Sequence, residues 1–256
     1  MNNFGVCPPE ETVMSNIGYV SLSQATALER SMNMTAHNLA NASTSGYKAI
    51  NPLLESVEGA AASDGISYVV DKGTYLDLSS GPLTPTGNPL DIAVASEGWF
   101  SFQLDGGETG YSRHGQFVVD VDGQLKTSTG LPLLDAGGGP VTLPDDVGQD
   151  VVITTGGTIT DPEGAVLGTI GVFKIEQEAR MTPLGRGMYQ LPPDAAAPQQ
   201  VEDPKVKQGF VEGSNVQAVL EMTRLIDIQR AYENSVKLMT EDDSLTKTSI
   251  QRLGRV

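Results

Sequence analysis

Apolar side chains recur in two rhythms along the chain, and the change of rhythm divides it. Near the N-terminus Ala25, Leu28, Met32 and Leu39 come at helical spacing, with Thr35 filling the step between the last two. Alternating steps of three and four are the narrow seam of a coiled coil, not the broad stripe of a helix lying on a globular core. The pattern predicts a helix from Asn16 or Ile17 to Asn41, roughly 37 Å long at 1.5 Å per residue. Asn38, Asn41 and Gly46 then suit a helix stop with a left-handed residue after it. A second helical rhythm, Leu225, Ile228, Tyr232, Val236 and Met239, follows the capping-box pattern Ser214-Asn215-Val216-Gln217 and predicts a helix of about 50 Å over Asn215–Ile250.

Between these ends the rhythm is short and strand-like. Ile66–Val70 and Thr74–Leu78 read as two strands around an Asp71-Lys72-Gly73 turn. Gly81 to Pro89 reads as extended or turn, because its three prolines keep it out of a central strand. The densest alternation runs from Leu90 through Trp99–Leu104 to Gln116–Thr127, with Asp122-Gly123 as a two-residue hairpin turn. Further short strands are predicted at 131–134, 151–155, 158–160, 166–175 and 188–191. The fold class expected is α+β: long N- and C-terminal helices forming a coiled-coil-like pair that brackets an all-β, barrel-like central domain. The expected divisions are a disordered lead over 1–15, a helix and signature over 16–48, a linker or arm over 49–65, the β domain over 66–210 and a helix over 211–256. Helical periodicity begins directly after Met14, which gives the expectation that translation starts there.

Charge sharpens this division. The formal net charge is -16, and it falls almost wholly in the middle: residues 1–50 and 211–256 each carry -1, while 51–210 carry -14. Such a chain is unsuited to binding nucleic acid by phosphate neutralisation. Nearly neutral helical ends can pack on one another at little electrostatic cost, whereas the acidic middle favours water on its flanks. No apolar run approaches the roughly 18 residues of a membrane helix. The first residues lack the basic and apolar blocks of a secretory signal. A single cysteine, Cys7, leaves no internal disulfide to form.

Candidate chemistry is sparse. Ser112 and His114 share one strand face, without the strand-to-helix elbow of a hydrolase nucleophile. Asp120-Val121-Asp122-Gly123 opens like a calcium loop but lacks the later ligands, so it reads as a hairpin turn. Trp99 and Phe100 could line a sugar site, which makes a secreted carbohydrate-binding module the alternative from another class; core packing is the commoner use of such residues. No cofactor or metal set is expected, and no catalytic residue.

Three sets of residues resemble a known family. Asn38-Leu39-Ala40-Asn41 with Thr44-Ser45-Gly46-Tyr47-Lys48 is similar to the N-terminal signature of flagellar axial proteins of the rod and hook. Val211-Glu212-Gly213-Ser214-Asn215-Val216, Glu221-Met222 and Arg230-Ala231-Tyr232-Glu233-Asn234 resemble the C-terminal signature. Gly87–Val94, Gly98-Trp99-Phe100 and Tyr111–Phe117 resemble the central β domain. The resemblance runs from Ile17 to about Gly254 in the family's order. The short stretch from Ala49 to Pro89 favours the proximal-rod type over its distal-rod sibling, which usually carries an insertion there. His37, where the family more often has Asn, and the N-terminal lead are departures. The resemblance implies a non-enzymatic rod subunit in the bacterial flagellar basal body, exported by the flagellar export apparatus without a cleavable signal peptide. Its partners would be other copies of itself and other rod subunits, with no nucleic acid and no membrane insertion. The residues expected to serve assembly are Leu28, Met32, Asn38, Leu39, Asn41, Gly46, Ser214, Asn215, Leu225, Ile228 and Tyr232.

Overall fold

The structure is a computed structural model that describes residues 11–58, 67–144 and 151–254. In chain order the elements are α1 (Glu11–Ala40), β1 (Ile50–Glu58), β2 (Ser67–Leu76), β3 (Leu83–Pro85), β4 (Ile92–Val94), β5 (Trp99–Gln103), β6 (Thr109–Ser112), β7 (Phe117–Val119), β8 (Leu125–Thr127), β9 (Val152–Ile153) and β10 (Thr158–Thr160). They continue with β11 (Val166–Thr169), β12 (Val172–Lys174), β13 (Thr182–Gly185), β14 (Met188–Gln190), β15 (Gln199–Gln200), β16 (Val206–Gln208), β17 (Phe210–Glu212) and α2 (Ala218–Leu253). Two compact units result: one holds residues up to 37, 51–74 and from 219 onward, the other 38–50 and 75–218. Of the lead expected over 1–15, residues 1–10 lie outside the described residues, and from Glu11 the chain is helical, ahead of Met14.

In the helical unit α1 and α2 lie side by side and antiparallel. Leu28 shares a groove with Leu220, Ile228 and Ala231, and a side chain at Gly18 would stand 3.4 Å from Asp242. The expected coiled-coil-like pair is overturned by what these helices bury. A coiled coil buries its large seam residues as knobs in holes. Here the buried helix residues are small or polar: Ser21, Ala25, Ala27, Thr35 and Asn38 on α1, Glu221 and Ser235 on α2. Leu28, Met32, Leu39, Leu225, Ile228 and Tyr232 are only half-buried. The physical reason lies on α1, which is covered along two stripes rather than one. One stripe, through Ala25, Leu28, Met32, Thr35 and Leu39, is the seam read from the sequence, and buried Ser21 continues it toward the N-terminus. A second stripe, Ala27, Ser31 and Met34, lies on the side where Arg30 pairs with Asp71 of β2 at 2.6 Å.

The stretch expected as a linker contains β1, which pairs with β2 in a two-stranded sheet. Nor does β2 break at Asp71-Lys72-Gly73. Asp71 Oδ1 accepts the Gly73 N–H at 2.8 Å while the chain stays extended. Lys72 and Glu55 pair across the two strands at 3.2 Å.

The β unit is built on an antiparallel six-stranded sheet, β13-β14-β6-β5-β12-β15. Smaller sheets, β11-β10-β9, β16-β4, β17-β3 and β7-β8, surround a core of Ile92, Phe100, Phe102, Phe117, Leu125, Leu133, Ile159 and Ile170. Phe100 and Phe102 both lie against Phe117, the first edge-on at 5.7 Å and the second stacked at 6.1 Å. Four core residues, Phe117, Leu125, Leu133 and Val141, follow each other every eight positions. The last three close a ring of backbone bonds. Leu133 N–H donates to Leu125 C=O at 2.8 Å, Val141 to Leu133 at 2.9 Å and Leu125 to Val141 at 2.9 Å.

One turn design recurs and explains how so many short strands are connected. At Asp120, Thr127, Asp135, Thr154 and Asp161 the side-chain oxygen accepts the N–H four residues on, at 2.7–3.1 Å. Three residues on stands a left-handed glycine, Gly123, Gly130, Gly138, Gly157 or Gly164, with φ between 74° and 93°. These are three-residue hairpin loops that end in a glycine bulge. The two-residue turn expected at Asp122-Gly123 is therefore a longer loop from Asp120 to Gln124, because Asp120 takes the Asp122 and Gln124 N–H groups and pairs with Lys126.

The glycines of this series are not equivalent. A Cβ on Gly123 would stand 2.3 Å from the Leu143 carbonyl oxygen, whereas one on Gly164 meets nothing within 4 Å. Gly164→Ala is expected to cost about 1 kcal/mol, the price of a left-handed alanine. Gly123→Ala adds a backbone clash and should cost at least about 3 kcal/mol. Denaturant unfolding of the two purified variants checks the order; equal costs would refute this account of the ring.

Candidate functional site: the junction of the signature segments

Among the described residues, the densest cluster of buried charge lies where the three signature segments meet. Glu212, at the end of β17, receives two cations. Lys48 Nζ donates to its Oε1 at 2.7 Å and Arg113 Nη1 to its Oε2 at 3.4 Å. The Gly81 N–H also donates to Oε1, at 3.1 Å. Spare donors go to carbonyls: Lys48 to Ser79 at 2.8 Å and Arg113 to Val94 at 3.0 Å. The side chains of Lys48 and Glu212 are 1% and 2% exposed, so this is an ion cluster inside protein. Burial pushes the Lys48 ammonium below its ordinary range, and the neighbouring carboxylate only partly offsets this. Arg113 is shifted the same way for the same reason.

Two asparagines complete the junction, and between them they tie together every place where the chain enters or leaves this unit. Asn38, at the end of α1, donates to Ile50 C=O and accepts the Ile50 N–H, both at 2.9 Å, and accepts the Tyr47 hydroxyl at 3.1 Å. Asn215, three residues before α2, accepts the Ala49 N–H at 2.8 Å and donates to Asp77 C=O at 2.9 Å, just past β2. The Asp77 N–H in turn donates to Ala49 C=O at 2.8 Å, and the Asn215 N–H to Tyr47 C=O at 3.3 Å. An asparagine side chain carries both a donor and an acceptor, which is what a tie to peptide groups needs.

Tyr189 closes the junction from the sheet. Its hydroxyl accepts the Lys48 N–H at 2.8 Å and donates to Lys48 C=O at 3.3 Å, and burial raises its pKa. Its ring meets Trp99 edge-on at 5.4 Å, and the Arg113 guanidinium lies 5.7 Å from the centre of the Trp99 ring.

The glycine at position 46 is forced by close approach. It has φ +70°, a Cβ there would sit 2.3 Å from the Arg113 carbonyl carbon, and its N–H donates to Glu212 C=O at 2.8 Å. It therefore joins the N-terminal signature to the other two and does not terminate α1, which ends at Ala40. Ser214 is buried and accepts the Val216 N–H at 3.1 Å, ahead of α2, so the capping-box geometry does not form. The ties on Glu212 and Asn215 hold this stretch to the sheet and delay the helix to Ala218.

Of the residues expected to serve assembly, the junction gathers Asn38, Gly46, Ser214 and Asn215, with Asn41 in the turn beside it accepting the Thr44 hydroxyl at 3.2 Å. Leu28, Met32 and Leu39 lie on α1, and Leu225, Ile228 and Tyr232 on α2. Sequence reasoning missed the roles of Lys48, Arg113 and Glu212, although each stands inside a signature segment and their opposite charges were the available signal. For Tyr189 there was none. Ser112 Oγ is buried and donates to Gly187 C=O at 2.6 Å, while His114 Nδ1 sits 3.4 Å from Ser45 O. The pair is thus committed to backbone and does not form a nucleophile–base couple. Trp99 and Phe100 are at most 1% exposed, so they offer no platform for a sugar.

Comparison with known proteins agrees with the order of these segments. Residues 19–48 match the family model described as flagella basal body rod protein. Residues 93–161 match the flagellar hook protein FlgE/F/G D1 domain, and residues 207–252 the flagellar basal body rod FlgEFG protein C-terminal region. The flagellar basal-body rod protein FlgF of Caulobacter vibrioides is 36% identical, over 95% of this chain and 100% of its own length. FlgF of Mesorhizobium japonicum is 36% identical over 92% of this chain and 97% of its own. FlgG of Agrobacterium fabrum is 33% identical over 86% of this chain and 92% of its own.

The cluster holds two cations against one carboxylate, so its members are unequal. Glu212→Gln leaves both cations buried without a counter-charge and should cost about 3–5 kcal/mol. Lys48→Met leaves Arg113 on Glu212 and should cost roughly 1–3 kcal/mol. Chemical denaturation of the purified chain measures both, and the reverse order would refute the arrangement. His114 gives a pH signature: burial lowers its pKa from the ordinary 6.5, against the Ser45 carbonyl and Asp91. A depressed folded pKa means the unfolded chain binds the proton first, so stability present above 6.5 is lost as pH falls toward the folded value. The slope from this one group is at most about 1.4 kcal/mol per pH unit. Melting curves from pH 7 to 5 should fall less steeply for His114→Gln than for the parent.

Proposed function

The chain belongs to the FlgF-type flagellar basal-body rod proteins and is a structural subunit of the rod. From this premise we propose that it builds the proximal rod as a non-catalytic part of the drive shaft, packing against copies of itself and other rod subunits. Identity of 36% to the FlgF proteins of Caulobacter vibrioides and Mesorhizobium japonicum, against 33% to the FlgG of Agrobacterium fabrum, supports the proximal over the distal position. Export through the flagellum's own secretion apparatus, without a cleavable signal, belongs to the same reading.

The observation that carries the assembly reading is the outer face of α2. Glu221, Leu225, Ile228, Tyr232, Ser235 and Met239 form its covered stripe, in alternating steps of four and three. On the opposite side Val219, Met222 and Ile226 are 79%, 50% and 50% exposed and lie within two turns of one another. An apolar row turned away from its own chain lowers free energy only by finding another surface. Farther along that side the residues become Arg230, Glu233 and Lys237, so the row is confined to the start of the helix.

Ile226→Asp tests this. The side chain is exposed, so the isolated protein should keep its melting temperature within about 2 °C, as surface substitutions do. In a subunit contact the same carboxylate would be buried unpaired, at a cost of several kcal/mol. The variant should be exported yet fail to complete rods, leaving cells non-motile, while Lys237→Asp, at a 74% exposed side chain, swims normally. Wild-type swimming by the Ile226→Asp strain would overturn the packing role of this face.

A further inference from the structure

Where α1 and α2 run side by side, one flank of the pair is left open as a groove of about 440 Å³. Leu28 of α1 forms one wall, and Leu220, Ile228 and Ala231 of α2 give the groove an apolar surface, with Leu220 54% exposed. Two charged residues of α2 line it as well, Arg224 and Asp227. Arg224 is already paired, its Nη1 2.9 Å from Oε1 of Glu221, whose side chain is 7% exposed. Asp227 is exposed, and among the described residues its carboxylate has no ion pair or hydrogen bond. The groove therefore presents an apolar floor and one unpaired negative charge.

The complement stands on another side of α2. The exposed row Val219, Met222 and Ile226 is followed one turn on by Arg230, which is also exposed. Among the described residues the Arg230 guanidinium has no ion pair or hydrogen bond, while Glu233 beyond it accepts the Gln229 amide at 3.1 Å. The row thus ends in an unpaired positive charge, matching the groove in both apolar surface and sign. With only -1 on residues 211–256, the α2 helices of two copies approach each other at little electrostatic cost. Ile226 and Ala231 are five residues apart, about 140° round a helix of 3.6 residues per turn, so a straight helix cannot bring its own row to its own groove. We propose that the groove receives the Val219–Arg230 row of α2 from a second copy of this chain, with Ile226 against Leu220 and Ile228 and Arg230 on Asp227. Such a contact is heterologous: each copy gives one side of α2 and receives on another, which extends an array instead of closing a dimer. The inference rests on the rod reading and names the surface that the exposed row meets.

Charge exchange between copies tests it in motile cells. Asp227→Arg and Arg230→Asp should each shrink the swimming zone at least about twofold, because like charges then meet across every contact. Both sites are exposed, so the purified variants should keep their melting temperatures within about 2 °C of the parent. Cells producing the two variants together should regain at least about half the parental zone, since alternating copies again set opposite charges against each other. Within one chain each variant places like charges side by side, so that rescue requires a contact between copies. A photo-crosslinking residue at position 220 should yield, in purified basal bodies, a species of twice the 27.0 kDa chain mass, joined to the 219–230 segment of the second copy. Normal swimming by both single variants, no rescue on joint production, or a crosslink to a different protein or segment would each overturn the proposal. Absence of the chain from wild-type basal bodies would instead overturn the rod reading itself.

Discussion

The buried carboxylate of Glu212 is the constraint on which the β unit and its exits depend. Two cations far apart in sequence, Lys48 and Arg113, are both held within hydrogen-bonding reach of the Glu212 carboxylate, and none of the three side chains is more than a tenth exposed. A well-packed apolar trio of similar volume would often be as stable. An ion cluster differs in being intolerant: a shift that separates Lys48 from Glu212 leaves charges without water or partner. The segment after α1, the strand β17 before α2 and the turn after β6 are therefore held to one arrangement. Asn38 and Asn215 extend that intolerance to the backbone at Ile50 and Asp77.

The hairpin series around the core solves a different problem. Strands of two to five residues contribute few ladder bonds, so the turns must bring the strands into register themselves. A side-chain acceptor at the first loop residue and a left-handed glycine three later do this locally. The eight-residue recurrence of Phe117, Leu125, Leu133 and Val141 then fills the space inside the resulting ring with one apolar side chain at a time. Few aromatic residues are needed, which fits an aromatic content of 5%.

How much of this was legible depended on how local the cause was. The terminal helices showed because their periodicity is written within one element, as did the β-rich middle with its Gly- and Asp-marked turns. The two-helix seam was over-read because α1 gives part of its face to the side where β2 lies; Ala27 and Ser31 are too small to signal that in sequence, and Met34 alone makes no stripe. The break expected in β2 failed similarly, since Asp71 binds Arg30 of α1 and no local rule reveals that partner. The junction was half legible. Its segments stood out as signatures, but the reading attached them to contacts between subunits. That Lys48 meets Glu212 across 164 positions is a tertiary fact, with only the complementary signs of their charges as a hint.

The placement of polar and apolar surface follows from what a rod subunit must do twice. Before assembly its copies have to stay apart. Afterward it has to stick without an external clamp. An acidic β unit whose large apolar side chains are mostly interior meets the first demand, since like charges keep separate copies apart. The exposed apolar side chains of α2, Val219, Met222 and Ile226 among them, meet the second.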